Sequence, residues 1–214
     1  MKLELINRII TSLVLVTILI YSTYYSGLYF IFFLSLIYLL SFYEIIKNTK
    51  NLLFILSSNI IIIFALVSFY FLRGNTYFAL VTLYWILLAT FLSDIGGYIF
   101  GKIFKGKKLT KISPNKTISG SIGSFIFSFL LIPIYYKFDF NLTYLELFSV
   151  TLVTSIFSQA GDLFISYLKR KAKVKDTGDL LPGHGGFLDR FDGILFGVPL
   201  GLFYTLLILP NLNL

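Results

Sequence analysis

The segment KDTGDLLPGHGGFLDRFDG, residues 175–193, gathers Asp176, Asp179, Asp189, Asp192, Arg190, five glycines and the only histidine, His184, between long apolar runs. Two more aspartates, Asp94 and Asp162, lie inside such runs. An ionised Asp at the centre of a membrane helix costs about 2.5–3.5 kcal/mol on insertion scales, so it faces a cavity or a partner. Asp94 lies 8 residues before Lys102 and Asp162 lies 7 before Lys169. At 1.5 Å per residue both sit roughly 10–12 Å below the first basic residue, within reach of one shallow pocket. A structural pair with a Lys or a helix N-terminus explains a lone intramembrane Asp equally well, but matched depth beside a third acidic cluster favours chemistry. That cluster is LDRFDG: on a helix Asp189 and Asp192 share one face, with Cβ atoms about 5–6 Å apart. Carboxylates this close repel unless a cation lies between them, and oxygen ligands favour a hard ion such as Mg²⁺. An acidic first helical turn, stabilised by the helix dipole, is the simpler account of a bare DxxD.

Glycines and bases supply a complementary, anion-binding texture. PGHGG, with Gly183, Gly185 and Gly186, permits close backbone approach and leads into a helix N-terminus that points N–H groups at anions. It also suits a tight re-entry turn. His184 has the chemistry of an acid, a base, a ligand or a turn donor, and a lone His is more often structural. GKKLTKISPNKTISGSIGS, residues 106–124, mixes Lys, Ser, Thr and Gly, the groups that bind phosphate oxygens. SYLKRKAKVK, from Ser166, suits an acidic lipid headgroup as well as an ordinary basic helix end. Gly97 and Gly101, at four-residue spacing, mark close helix packing.

The elements that must position these groups are membrane spans. The chain has 214 residues, of which 57% are hydrophobic and only 13% charged, against about 25% charged in a soluble domain. Mean hydropathy is +0.86. With no Cys, disulfides and thiolate metal sites are excluded. The N-terminus has a basic start and an apolar stretch but no A-x-A-like cleavage site, and reads as a retained first helix. No charge occurs between Arg8 and Glu44, too long for one crossing, so the chain must turn near Ser26-Gly27. The expected fold is all-α: a polytopic membrane protein of about seven spans, near 8–25, 28–46, 52–72, 76–104, 119–136, 143–169 and 189–209. Residues 1–75 form the first three spans, and 76–214 form a catalytic transmembrane region with two polar loops. With the N-terminus inside, 16 of the 18 Lys and Arg fall on the cytoplasmic side and only Arg73 and Lys137 outside. Topology thus accounts for the net charge of +8 without nucleic acid, and both polar loops, about 105–118 and 170–188, fall on the cytoplasmic face.

SYLKRKAKVKDTGDLLPGHGGFLDRFDG, residues 166–193, resembles the signature of phosphatidate cytidylyltransferases (CDP-diacylglycerol synthases), with S-x-x-K-R, K-D, P-G-H-G-G and D-R-x-D in register. SDIGGYIFGKIFKGKKLTKISPNKTISGSIGS, residues 93–124, is similar to the family's second block. The resemblance implies condensation of CTP with phosphatidate to CDP-diacylglycerol and pyrophosphate, in phospholipid biosynthesis, at the inner face of a bacterial-type inner (plasma) membrane. It implies Mg²⁺, allows a monovalent cation such as K⁺ beside it, and implies a homodimer. Carried over residue by residue, Asp162, Asp189 and Asp192 hold the metal. Lys169, Arg170, Arg190 and Lys116 neutralise phosphates, Ser113 and Thr117 donate hydrogen bonds, and Asp94 lines the same cavity. Lys175, Asp176, His184, Gly185 and Gly186 complete the substrate-binding set. Three positions depart from the pattern: Ile165 stands where many members have Glu, Ser119 where many have Glu, and Gly193 where Ser is usual. All three remove or shorten polar groups, which bears on fine geometry and rate and leaves the three metal-candidate aspartates intact.

Two other functions compete. A CTP-dependent lipid kinase of the polyprenol or phytol type would move the γ-phosphate to a lipid alcohol. A cation-coupled secondary transporter would use Asp94 and Asp162, but such proteins show paired halves or inverted repeats, and neither is evident here.

Overall fold

A computed structural model describes residues 2–137, 142–171, 173, 178 and 186–209. Its elements are α1 (Lys2–Tyr25), α2 (Gly27–Asn48), α3 (Leu52–Arg73), α4 (Tyr77–Phe104), α5 (Ile118–Phe129), α6 (Ile132–Lys137), α7 (Tyr144–Lys171), a 3₁₀ turn (Leu188–Arg190) and α8 (Ile194–Ile208). Among the described residues there is no strand beyond an isolated bridge, Lys108 to Thr117. Among the described residues, five stretches are long and apolar enough to cross a membrane: Gly27–Lys47, Leu52–Arg73, Tyr77–Phe104, Ile118–Lys137 and Tyr144–Lys171. Leu13–Tyr25 and Ile194–Ile208 are shorter apolar helices. The chain is an integral, all-helical membrane protein.

The helix ends follow local chemistry. α1 and α2 part at Ser26 and Gly27, both at positive φ (58° and 54°), where the sequence requires a turn. Thr76 caps α4 by accepting from the Ala79 N–H at 3.0 Å, and Thr117 caps α5 by accepting from Gly120 N–H at 3.1 Å. The expected fifth span is interrupted between α5 and α6. Pro133 has no N–H and its ring clashes with the carbonyl four residues back, so the chain tightens through Leu130 N to Phe127 O and Leu131 N to Ser128 O. The expected helix over 189–209 is also shorter: α8 starts at Ile194, with Gly193 at its N-cap and no acidic residue in its first turn. Asp189 sits in the 3₁₀ turn and Asp192 just after it, so they do not share one α-helical face, and the dipole account of DxxD does not apply.

The chain divides into two compact units, 1–66 with 168–191 and 67–167 with 192–214. In the first, α1 packs on α2, and the core includes Phe30, Phe33, Ile45 and Ile62. In the second, α4 packs on α5 through facing glycines. Gly97 and Gly101 meet the Ser124 and Thr117 side chains, as their spacing predicts, while Gly96 abuts the Gly123 carbonyl. A Cβ on Gly123 would lie 2.6 Å from the Gly96 oxygen and press into Phe100. Overpacking of this kind costs about 1–3 kcal/mol. Gly123→Ala is therefore expected to lower the melting temperature in detergent, whereas Gly101→Ala, whose nearest foreign atom is Thr117 Oγ1 at 3.2 Å, should shift it far less.

Candidate functional site

In the second unit, hydroxyls and an amide fix α7 in depth against α4 and α5. Trp85 Nε1 donates to Thr151 Oγ1 at 3.1 Å, Ser93 and Ser155 share a hydrogen bond of 2.9 Å, and Ser121 donates to Gln159 Oε1 at 2.6 Å. Each interhelical bond of this type is worth roughly 0.6 kcal/mol in a membrane, so their joint value is register. That register sets Asp94, one residue past Ser93, beside Asp162, two turns past Ser155. Gly193 marks their meeting point. A Cβ there would lie 3.5 Å from Asp94 Oδ2, 3.5 Å from Asp162 Oδ1 and 2.7 Å from Ser158 Oγ. The two carboxylate oxygens are thus no more than 7 Å apart, twice that 3.5 Å distance. Ser158 is fully buried, and its hydroxyl has no hydrogen-bond partner among the described residues. Gly193, one of the three departures, lets these three side chains crowd around the start of α8.

The loop between α4 and α5 brings a base to the same place. Lys105 and Gly106 turn the chain at positive φ (52° and 105°). Leu109 N donates to Lys116 O at 2.8 Å and Ile118 N to Lys107 O at 3.0 Å, so the loop folds back as a short hairpin. Its tip is a Ser-Pro-Asn-Lys turn, closed by Lys116 N donating to Ser113 O at 3.1 Å, with Pro at the position where its fixed φ fits. The hairpin aims Lys116 at Asp162, Nζ to Oδ2 2.5 Å. Thr117 is occupied locally. Ser119 donates its hydroxyl proton to Lys105 O, so in the 3.0 Å contact between Thr117 and Ser119 the donor is Thr117. Ser119, the second departure, is therefore part of the hairpin's closure, and Ile165, the third, is buried apolar core at 2% exposure.

Two carboxyl groups and one ammonium meet in this cluster. A divalent hard cation fits its chemistry: the donors are carboxyl oxygens with an orphaned hydroxyl beside them, and Mg²⁺ is held by one or two carboxylates with water and substrate phosphates completing its shell. Among the described residues no three His, Cys, Asp or Glu side chains form a metal cage by themselves. Asp192 belongs to this unit. Its backbone oxygen lies 3.0 Å from a Cβ built on Gly161, and its Oδ1 accepts from Gly193 N–H at 3.0 Å.

The first unit holds the other charged cluster. Lys169, in the last turn of α7, donates to Asp189 Oδ1 at 2.7 Å, with both side chains only 11% exposed. Beyond it α7 ends with Lys173 N donating to Arg170 O at 3.0 Å, Lys173 taking the left-handed φ of 61° that closes many helices. The Arg170 side chain is exposed. Glu44, which the sequence pattern did not single out, lies here too. It is 1% exposed and accepts from Phe187 N–H at 2.6 Å and Leu188 N–H at 3.0 Å. Its signal was available: it is the first charge after a 35-residue uncharged run, and it precedes the basic residues Lys47 and Lys50. Gly186 is buried. Lys175, Asp176, Asp179, Gly183, His184 and Gly185 lie outside the described residues, as does the Arg190 side chain.

The helices and these two charged clusters define a multi-spanning membrane protein with carboxylates and lysines paired at helix ends. Residues 47–208 match the model of the Cytidylyltransferase family, and the chain belongs to that family. Phosphatidate cytidylyltransferase of Staphylococcus haemolyticus is 53% identical over 116 residues, which cover 53% of this chain and 44% of the relative. The enzymes of that name from Staphylococcus aureus (strain COL) and Staphylococcus saprophyticus are 50% and 47% identical over the same length and shares. The chain thus matches less than half the length of these curated relatives.

Proposed function

We propose that this chain is a phosphatidate cytidylyltransferase. A phosphate oxygen of phosphatidate attacks the α-phosphorus of CTP, the bond from that phosphorus to the bridging oxygen breaks, and pyrophosphate leaves. The observation that carries the reading is the cluster of Asp94, Asp162 and Lys116 within membrane-spanning helices, in a chain whose relatives bear that name. Asp162, Asp189 and Asp192 are each proposed to ligate Mg²⁺, which when bound supplies charge neutralisation between two anionic reactants. Lys116, Lys169, Arg170 and Arg190 bind phosphate oxygens, with Ser113 and the 175–186 segment around them. Asp94 lines the cavity and Thr117 holds the hairpin that carries Lys116. The reaction takes place at the cytoplasmic face of the inner membrane, and the enzyme works as a homodimer.

The test is product analysis. Purified protein in detergent, given CTP, phosphatidate and Mg²⁺, is expected to release pyrophosphate and form CDP-diacylglycerol. Release of CDP, with phosphate transferred to a lipid alcohol, would instead make it a lipid kinase. No turnover of CTP under any lipid would remove both enzyme readings.

A further inference from the structure

Asp189 sits on a short segment whose leading N–H groups are bonded from far away in the sequence. Its regular part is a three-residue 3₁₀ turn, and Phe187 at its N-cap offers no side-chain hydrogen bond. A local Ser, Thr or Asp would normally satisfy the leading N–H groups. Here they are satisfied by Glu44, 143 and 144 residues away in sequence, from the last two turns of α2. Two oxygens of one carboxylate each take one N–H, a bidentate charge-assisted arrangement that fixes orientation as well as position. Phe187 and Leu188 are themselves 2% and 1% exposed, so the bonds are shielded from water. The same carboxylate meets the loop again at Gly178, where a Cβ would lie 2.8 Å from Glu44 Oε1 and 3.0 Å from its Cδ. A side chain there would press on the carboxylate. One acidic group on α2 therefore bonds Phe187 and Leu188 and lies against Gly178, and Asp189 follows directly after Leu188.

We propose that Glu44 is a positioning residue for the reaction: its carboxylate anchors Phe187 and Leu188 and sets the 3₁₀ turn so that Asp189 faces Lys169. The inference rests on the function proposed above. Groups that orient a ligand side chain through hydrogen bonds typically matter 10–100-fold in metal affinity or activity. Glu44→Gln keeps the shape but turns an NH₂ toward one of the two N–H groups, so one bond becomes a clash of donors.

Amide exchange reads the contact directly. Hydrogen exchange at Phe187 and Leu188 is expected to quicken at least about tenfold in Glu44→Gln, with exchange in α4 and α5 unchanged. Catalysis per folded molecule should fall about 10–100-fold, with the half-saturating Mg²⁺ concentration raised. Gly178→Ala leaves the carboxylate in place but crowds it, and should move both readouts in the same direction. Glu44→Asp, one methylene shorter, should recover part of the loss. Wild-type exchange at both amides in Glu44→Gln overturns the anchoring. Faster exchange with unchanged Mg²⁺ dependence and turnover makes Glu44 merely structural and overturns the positioning role. If the wild-type protein makes no CDP-diacylglycerol, the functional reading fails, while the exchange result still decides whether Glu44 holds the loop.

Discussion

Replacing Asp162 by Asn is expected to reduce CDP-diacylglycerol formation to below about one-hundredth of wild type, with the protein still folded. The argument is one of donor chemistry. Asp162 is the carboxylate that pairs with the Lys116 ammonium, Nζ to Oδ2 2.5 Å, with the Asp94 carboxyl beside it. Asn at 162 keeps the shape and still accepts a hydrogen bond from Lys116, so the α4–α5 hairpin and the α7 register have no reason to move. The cluster, however, loses the carboxylate oxygen that a hard divalent cation would take, and an amide oxygen carries no charge to replace it. Outer partners of metal ligands are worth 10–100-fold, so loss of the ligand itself should reach at least the upper end. Asp94→Asn leaves the Lys116–Asp162 pair intact, and should cost less. Initial rates across a Mg²⁺ series, on protein checked for folding by size exclusion and melting, decide the point. An Asp162→Asn enzyme turning over near the wild-type rate removes Asp162 from the metal set.

How much of this was visible in the sequence depends on the distance over which the information acts. Span positions follow from apolar runs and basic flanks, which are local, and the helix bounds of α2, α3 and α4 agree with them to within two residues. The break before Pro133 was local as well, but an apolar run hides it, because hydropathy does not register a missing N–H. DxxD misled for a related reason. Asp189 and Asp192 have helical spacing, yet the first falls in a 3₁₀ turn and the second before α8, which starts late, at Ile194. Asp94 and Asp162 were legible as a pair because depth below a basic flank is a one-dimensional quantity. Their lateral meeting was not, since it depends on Ser93–Ser155 and Ser121–Gln159 bonds between helices whose small polar residues look like ordinary packing. Glu44 was hidden in the same way: its partners are backbone N–H groups more than 140 residues away, and no side-chain pattern announces an acceptor of main-chain bonds.

The second large effect concerns Lys169 and Asp189, and its value is that stability and chemistry respond differently. The pair is close, 2.7 Å, and only 11% of either side chain is exposed. Lys169→Met removes the cation and leaves the carboxylate in a nearly dry setting, a change that typically destabilises by 3–5 kcal/mol. About 3 kcal/mol is expected here, since Asp189 keeps some access to water. Thermal unfolding in detergent should show a drop of several degrees. Replacing both partners, in Lys169→Met with Asp189→Leu, exchanges a buried ion pair for apolar contacts of similar size and should regain much of that stability, because such replacements are often neutral or better. Activity should behave the opposite way. Lys169→Met loses the charge proposed to bind phosphate but keeps the carboxylate, so it is expected to retain a measurable rate. The double variant, though stable, has lost both groups and should be inactive at any Mg²⁺ concentration. A stable double variant that still makes CDP-diacylglycerol would show that the pair serves only to close the 3₁₀ turn onto α7. A rate that tracks melting temperature across all three proteins would lead to the same conclusion, since a carboxylate and a lysine that act on substrate must lose function even where folding is restored.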